Sequence, residues 1–329
     1  MNLDDDFEEN LHQDIRALLD ERVGRDGWTL EVLRGDASAR QYARARTDSG
    51  ETFVVTYYPE DVRSHMPRFL TAHSMLSDTL NIPELIDSCD CGLLQHDVGE
   101  VNLSSILQTD RQRGIELYRE AIDQIVRLQS VDPSRVPNPP FDVSLFLTEM
   151  EMTNEYYVRR LMKKDRQSAA LSDAFVSLAE SLERHPYVLC HRDYHGENVH
   201  VHDDRLWILD FQDMRLGPDT YDLASLLRDR GAVRLLGKEV EQDLLRYYAR
   251  QIDADSEVDT RYRETLLQRT VKIIGTFARQ SVERDRHHYL DYIPSALETI
   301  EDCVAELPAY RFLLDIFPMD FDQQRGDTT

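Results

Sequence analysis

Leu11, Ile15, Leu18 and Leu19 fall on one face of a 3.6-residue repeat, and their spacing predicts a helix over residues 4–24. The period then shortens. "TLEVLR", "RQYARAR" and "TFVVTYY" read as strands, parted by "GDAS" and "TDSGE", which carry turn chemistry. A helix in "RFLTAHSMLSDTLN" ends before "IPE", and "LIDSCDCGLLQHDVG" holds two more strands. From "NLSSIL" onward helical spacing takes over, at residues 112–131, 144–162, 168–184, 222–250, 260–285 and 294–306. "DPSRVPNPPFD" is a Pro-rich loop between them. The one remaining strand signal is "VLCHRDYHGENVHVHDDRLWILDFQD", Val188–Asp213, which reads as two short strands and a turn. The expectation is an α+β chain of two lobes. Residues 1–98 would form a small antiparallel sheet with a helix after its third strand. Residues 99–329 would form a larger, mainly helical lobe with a strand pair lodged in it. A cleft between two such lobes is a natural ligand site.

Composition narrows what could occupy that cleft. The chain has 329 residues and is 41% apolar, enough to bury a sizeable core. Its formal charge of −24 argues against nucleic acid and against an anionic membrane, both of which need a basic face. No stretch approaches the roughly 18 apolar residues of a membrane span. "MNLDDDFEEN" lacks the basic-then-apolar order of a signal peptide, so a cytoplasmic location is expected. Cys89, Cys91, Cys190 and Cys303 do not fall at zinc spacing and read as free thiols. Cations are skewed toward Arg, with Lys only at 163, 164, 238 and 272.

The chemistry concentrates in Val188–Asp213. His191, Asp193 and Asn198 follow the order H-x-D-x-x-x-x-N, and Asp210 ends the apolar run "WILD". An amide and a carboxylate suit Mg²⁺, which takes one or two protein oxygens and shares the rest with phosphates and water. A further carboxylate off the metal can orient and deprotonate a hydroxyl. Together these are the parts of a phosphoryl-transfer site, in the order of a kinase catalytic loop and metal loop. The plainer alternative is a set of polar loop residues that cap strands.

The stretch resembles the aminoglycoside phosphotransferase family of kinase-fold enzymes. "GDASARQYARA", "CHRDYHGENVHV" and "LDFQDMRLGPDTYDLASLLRD" are together similar to its bacterial anomeric sugar kinases, which act on the C1 hydroxyl of N-acetylmuramate and N-acetylglucosamine in cell-wall recycling. The resemblance covers roughly residues 12–310. It implies a bilobal protein-kinase-like fold, with ATP and an alcohol or amino sugar as substrates. Asp193 would be the catalytic base, Asn198 and Asp210 the Mg²⁺ ligands, and Asp222 a brace for the catalytic loop beside the structural His191. Gln95, His96 and Asp97 fall where the lobes join and would meet the adenine. His195, between the base and the amide, and Gln212 and Asp213 of "DFQD" are candidates for acceptor contacts. For His195 loop packing is the alternative, and for Asp213 an exposed turn.

Two departures from the general kinase pattern stand out. The third strand, "TFVVTYY", puts Thr56 or Tyr57 where a phosphate-gripping Lys belongs, and no Lys precedes Lys163. The next helix lacks the partner Glu as well. Arg40 and Arg44 share a strand face by period two and are the candidates to offset phosphate charge. The nucleotide loop has one glycine, Gly35, with small Ala37, Ser38 and Ala39 able to let a phosphate approach the backbone; Gly35 and Ser38 are the candidate contacts. Two alternatives stay open: a kinase of another alcohol, of aminoglycoside, choline or homoserine type, and a nucleotide-binding pseudokinase, which the missing Lys favours and the intact acidic set opposes.

Overall fold

The structure, a computed structural model, describes residues 13–24, 27–33, 40–163, 169–228 and 232–317. Helix α1, Gln13–Val23, lies inside the helix expected over residues 4–24. Strands β1 (Trp28–Leu33), β2 (Gln41–Thr47) and β3 (Thr52–Tyr57) follow, then α2 (Met66–Leu76), then β4 (Leu85–Cys89) and β5 (Gly92–His96). The five strands form one antiparallel sheet in the order β1-β2-β3-β5-β4. Ala45, Phe53, Val55 and Leu94 join Ile15, Leu18, Leu19 and Trp28 in a small cluster between sheet and α1. Gly92 permits that approach, since a Cβ there would sit 2.7 Å from Ile15 Cδ1. Leu93, Phe69 and Leu76 instead belong to the large core that continues into the helices.

The helical lobe opens with α3 (Leu103–Thr109), α4 (Arg111–Gln129) and α5 (Val143–Met152). Asn102 and Ser105 form a reciprocal capping box on α3, and Asp142 caps α5 by accepting from the Leu145 amide at 2.7 Å. α5 runs into a π-helix at Thr153–Leu161, where the Thr153 hydroxyl donates to the Val271 carbonyl. Next come α6 (Ala169–Glu183) and four short strands, β6 (Tyr187–Cys190), β7 (Val199–His202), β8 (Arg205–Ile208) and β9 (Arg215–Pro218). β6 pairs with β9 and β7 with β8, both antiparallel. Strand β9 lies beyond the stretch expected to hold strands, because "RLGP" reads as a turn; Pro218 sits at the end of its ladder opposite Tyr187. α7 (Tyr221–Arg228), α8 (Ala232–Leu236) and α9 (Lys238–Gln251) replace the single helix expected over 222–250. Gly237, at φ +83°, parts α8 from α9. α10 (Val258–Arg284) and α11 (Ile293–Glu306) follow, and α10 buries Leu266, Leu267, Val271 and Ile274 in the main core. The α+β, two-lobed expectation holds: a small antiparallel sheet beside a mainly helical mass. No helix among the described residues is long and apolar enough to cross a membrane.

Candidate active site

The loop between β6 and β7 is built around a buried carboxylate. Asp222, in the first turn of α7, accepts the His191 amide at 2.6 Å on one oxygen and the Arg192 amide at 2.9 Å on the other. Arg192 itself stands at φ +84°, in the left-handed region, as the chain passes on to Asp193. The His191 ring then ties two loops together. Its Nε2 lies 2.8 Å from the Leu209 carbonyl, while Nδ1 accepts the Asp193 amide at 3.3 Å, which places the ring hydrogen on Nε2. The Leu209 amide donates to the Asn198 carbonyl at 2.9 Å, and the Asn198 side-chain nitrogen donates to the Asp193 carbonyl at 2.9 Å. Asp193, Asn198 and the residue before Asp210 are thereby held in one hydrogen-bonded unit.

Electrostatics at Asp193 depend on residues far away in sequence. Burial pushes its carboxyl up, but the charges of Lys272, Arg269, His195 and Arg192 pull harder the other way and hold it at about 2. Arg192 is fixed by Glu149, which accepts from it at 2.9 Å and from Gln268 at 3.0 Å. Arg269 donates to the Arg192 carbonyl at 3.0 Å and to Ser225 at 2.8 Å, with its guanidinium over the Tyr221 ring. Glu149, Gln268, Arg269 and Lys272 belong to none of the motifs read from the sequence. The available signal was a charge inside an apolar helical stretch, as in "LFLTEMEM" and "TVKIIG".

Asp210 stands in the left-handed region, at φ +62° and ψ +38°, and starts a 3₁₀ turn over Phe211–Asp213. That conformation is uncommon for non-glycine residues. Phe211 is buried and stacks on Phe69 of α2 at 5.1 Å, which ties the turn to the sheet lobe. One Asp210 oxygen accepts Arg40 at 2.8 Å and Gln212 at 2.9 Å; the side chain is 38% exposed. Asn198 Oδ1 accepts no hydrogen bond from a described residue. The two hard oxygen donors therefore fit a Mg²⁺ carried by a polyphosphate.

Two carboxylates and an amide, tied through one loop and one turn and joined to the sheet by Arg40, are the residue types that phosphoryl transfer uses. Residues 29–264 match the model of the phosphotransferase enzyme family. The chain belongs to this family. An N-acetylmuramate/N-acetylglucosamine kinase of Pseudomonas putida is 31% identical, with 90% of this chain and 92% of the relative covered. Among solved structures, an ethanolamine kinase of Plasmodium vivax has a TM-score of 0.64 at 13% identity, covering 90% of this chain and 88% of that one. A streptomycin–ATP–APH(2")-IIa ternary complex has a TM-score of 0.55 at 15% identity, covering 80% and 90%. The fold is thus the bilobal, kinase-like one, and the chain is a phosphotransferase.

In this phosphotransferase the two candidate phosphate cations part company. Arg40 crosses to Asp210 and has its guanidinium 5.6 Å from the Tyr42 ring. Arg44 is buried in the lobe junction, donating to Asp97 at 2.6 Å and Glu100 at 2.5 Å. Of the expected adenine contacts, Gln95 is buried, the His96 amide already donates to the Glu84 carbonyl at 2.9 Å, and the Asp97 side chain turns to Arg44 and the Gly99 amide. His195 sits beside Asn198, its Nε2 3.4 Å from the amide nitrogen. Gln212 points back to Asp210, and Asp213 is half-buried at the end of the turn. Gly35 and Ser38 lie outside the described residues.

Proposed function

We propose that the chain is a cytoplasmic, ATP- and Mg²⁺-dependent kinase that phosphorylates the anomeric hydroxyl of N-acetylmuramate or N-acetylglucosamine in cell-wall recycling. The observation that carries the reaction is Asp193, a carboxyl whose pKa surrounding cations lower to about 2, on a loop braced by Asp222. So weak a base suits a loose transition state, in which the leaving group has largely departed before the proton moves. It also suits an acidic acceptor hydroxyl. The anomeric hydroxyl is one, because the ring oxygen withdraws electron density from C1. The choice of acceptor rests on likeness to the Pseudomonas putida kinase over 90% of the chain.

Residues 1–98 would serve the nucleotide and residues 99–329 the chemistry and the acceptor. Asp193 orients the hydroxyl and receives its proton. Asn198 and Asp210 would hold Mg²⁺, which when bound neutralises phosphate charge. His195, Gln212 and Asp213 would border the acceptor, and Gln95 to Asp97 the adenine. Incubation with ATP, Mg²⁺ and either sugar should give a phosphate ester on the anomeric carbon, read by ³¹P NMR. Turnover of a kanamycin- or choline-type acceptor with neither sugar would sink the acceptor and leave the kinase. Nucleotide binding without turnover on any acceptor would favour the pseudokinase.

Arg40 would be the phosphate anchor in place of the strand Lys. It reaches the metal-side carboxylate, and its fork suits bidentate phosphate contact. Arg40→Ala should raise the KM for ATP and lower kcat together. Arg44→Ala should instead strand the buried Asp97 and cost about 3 kcal/mol of stability, seen in urea unfolding. Arg46→Ala should do neither. The reverse pattern in steady-state kinetics, with Arg44 affecting ATP and Arg40 silent, would exchange the two roles.

A further inference from the structure

Arg215 begins β9, two residues past Asp213, and its backbone pairs with Cys190, the last residue before the catalytic loop. It is 8% exposed. Its guanidinium lies 5.2 Å from the Phe141 ring centroid, and its buried Nε meets no acceptor. No hydrogen bond or ion pair joins that guanidinium to another described residue. The other buried arginines differ. Arg44, Arg228 and Arg261 each hold a buried carboxylate, and Arg269 holds a carbonyl and a hydroxyl. Glu149 is near enough to attract Arg215, yet both its oxygens are engaged, by Arg192 and Gln268. Burial pulls the Arg215 pKa down, and Arg192 repels it further.

A cation kept from water with no hydrogen-bonded partner is costly, and an anion brought to it relieves that cost. Arg192, the residue next to Asp193, and Asp213 are both near enough for their charges to act on Arg215, so the anion belongs to the acceptor. We propose that Arg215 holds a carboxylate carried by the acceptor, the lactyl carboxylate of N-acetylmuramate, and so sets a preference for that sugar over N-acetylglucosamine, which has none. The assignment rests on the function proposed above. It adds a specificity residue to it: the planar fork suits bidentate pairing with a carboxylate, and the guanidinium rests over the Phe141 ring.

The test is the ratio of kcat/KM for the two sugars, measured on wild type, Arg215→Gln and Arg215→Lys. Wild type should favour N-acetylmuramate. Arg215→Gln should lose roughly 10–100-fold more on N-acetylmuramate than on N-acetylglucosamine, the range for a charge-assisted hydrogen bond. Arg215→Lys should fall between, because it keeps charge without the fork. The N-acetylmuramate methyl ester gives the same comparison on unaltered protein, and should be worse than the acid by a similar factor. Turnover of both sugars with an unchanged ratio, or an ester as good as the acid, overturns the role of Arg215 alone. Turnover of neither sugar overturns the proposed function and takes this assignment with it.

Discussion

Asp193→Asn should lower kcat by about 10²–10⁴-fold while nucleotide binding persists, the usual scale for a positioned acid–base group. The substitution is close to isosteric. It leaves the amides that brace the loop in place, because Asp222 accepts those of His191 and Arg192 and His191 that of residue 193 itself. What it removes is the negative charge that Lys272, Arg269, His195 and Arg192 face, and the atom that receives the proton. The same cations set a pH expectation. A folded-state value of about 2 lies below the roughly 3.9 of an unfolded Asp, so the folded protein binds this proton less readily. The stabilisation is fully present above about pH 4 and is lost as pH falls toward 2. Activity should therefore show no acid limb from Asp193 in the ordinary carboxylate range. Near wild-type kcat for Asp193→Asn, with circular dichroism unchanged, would remove Asp193 from the chemistry.

Asp210→Ala should abolish measurable turnover, a loss of roughly 10³-fold or more, in line with removing a charge-stabilising group from a phosphoryl-transfer site. Three things go at once. The proposed metal oxygen disappears, Arg40 loses its carboxylate, and Gln212 loses the acceptor for its amide. Alanine is also a poor occupant of φ +62°. Asp210→Asn separates these effects, because asparagine tolerates the left-handed conformation and keeps a hydrogen-bonding oxygen without the charge. Both variants should be inactive, with Asp210→Asn the more stable in urea. An active Asp210→Asn would show that the carboxylate charge is dispensable and that the turn alone matters.

The parts legible in the sequence were those with a local pattern. The five strands and α2 appear because alternation and turn residues repeat over a few positions. Asp193, Asn198 and Asp210 stand out because their spacing is set by one loop and one turn, whereas Asp222 came only from the family resemblance. β9 escaped because a two-stranded ladder with Gly and Pro in it has no alternation to read. The parting of α8 from α9 escaped for a different reason: Gly237 interrupts the backbone without disturbing the apolar spacing. The cation cluster around Asp193 escaped most completely. Glu149 meets Arg192 across 43 residues and Gln268 across 119, and such pairings leave no trace in a window of the chain. Arg40 and Arg44 show the limit of face arguments. Four residues along an extended strand is about 13 Å, enough to send one guanidinium to Asp210 and the other to Asp97.

The absence of lysine before Lys163 bears on how the protein meets chemical reagents. Affinity labels built on nucleotides carry an electrophile at the phosphate end and acylate the amine that normally waits there. In this chain the cations of the sheet lobe are guanidiniums, which stay protonated and do not react. Lys272, whose charge reaches Asp193, sits on a helix of the opposite lobe. Such a label would therefore meet Lys272 of the helical lobe, and no lysine of the sheet lobe, near Asp193.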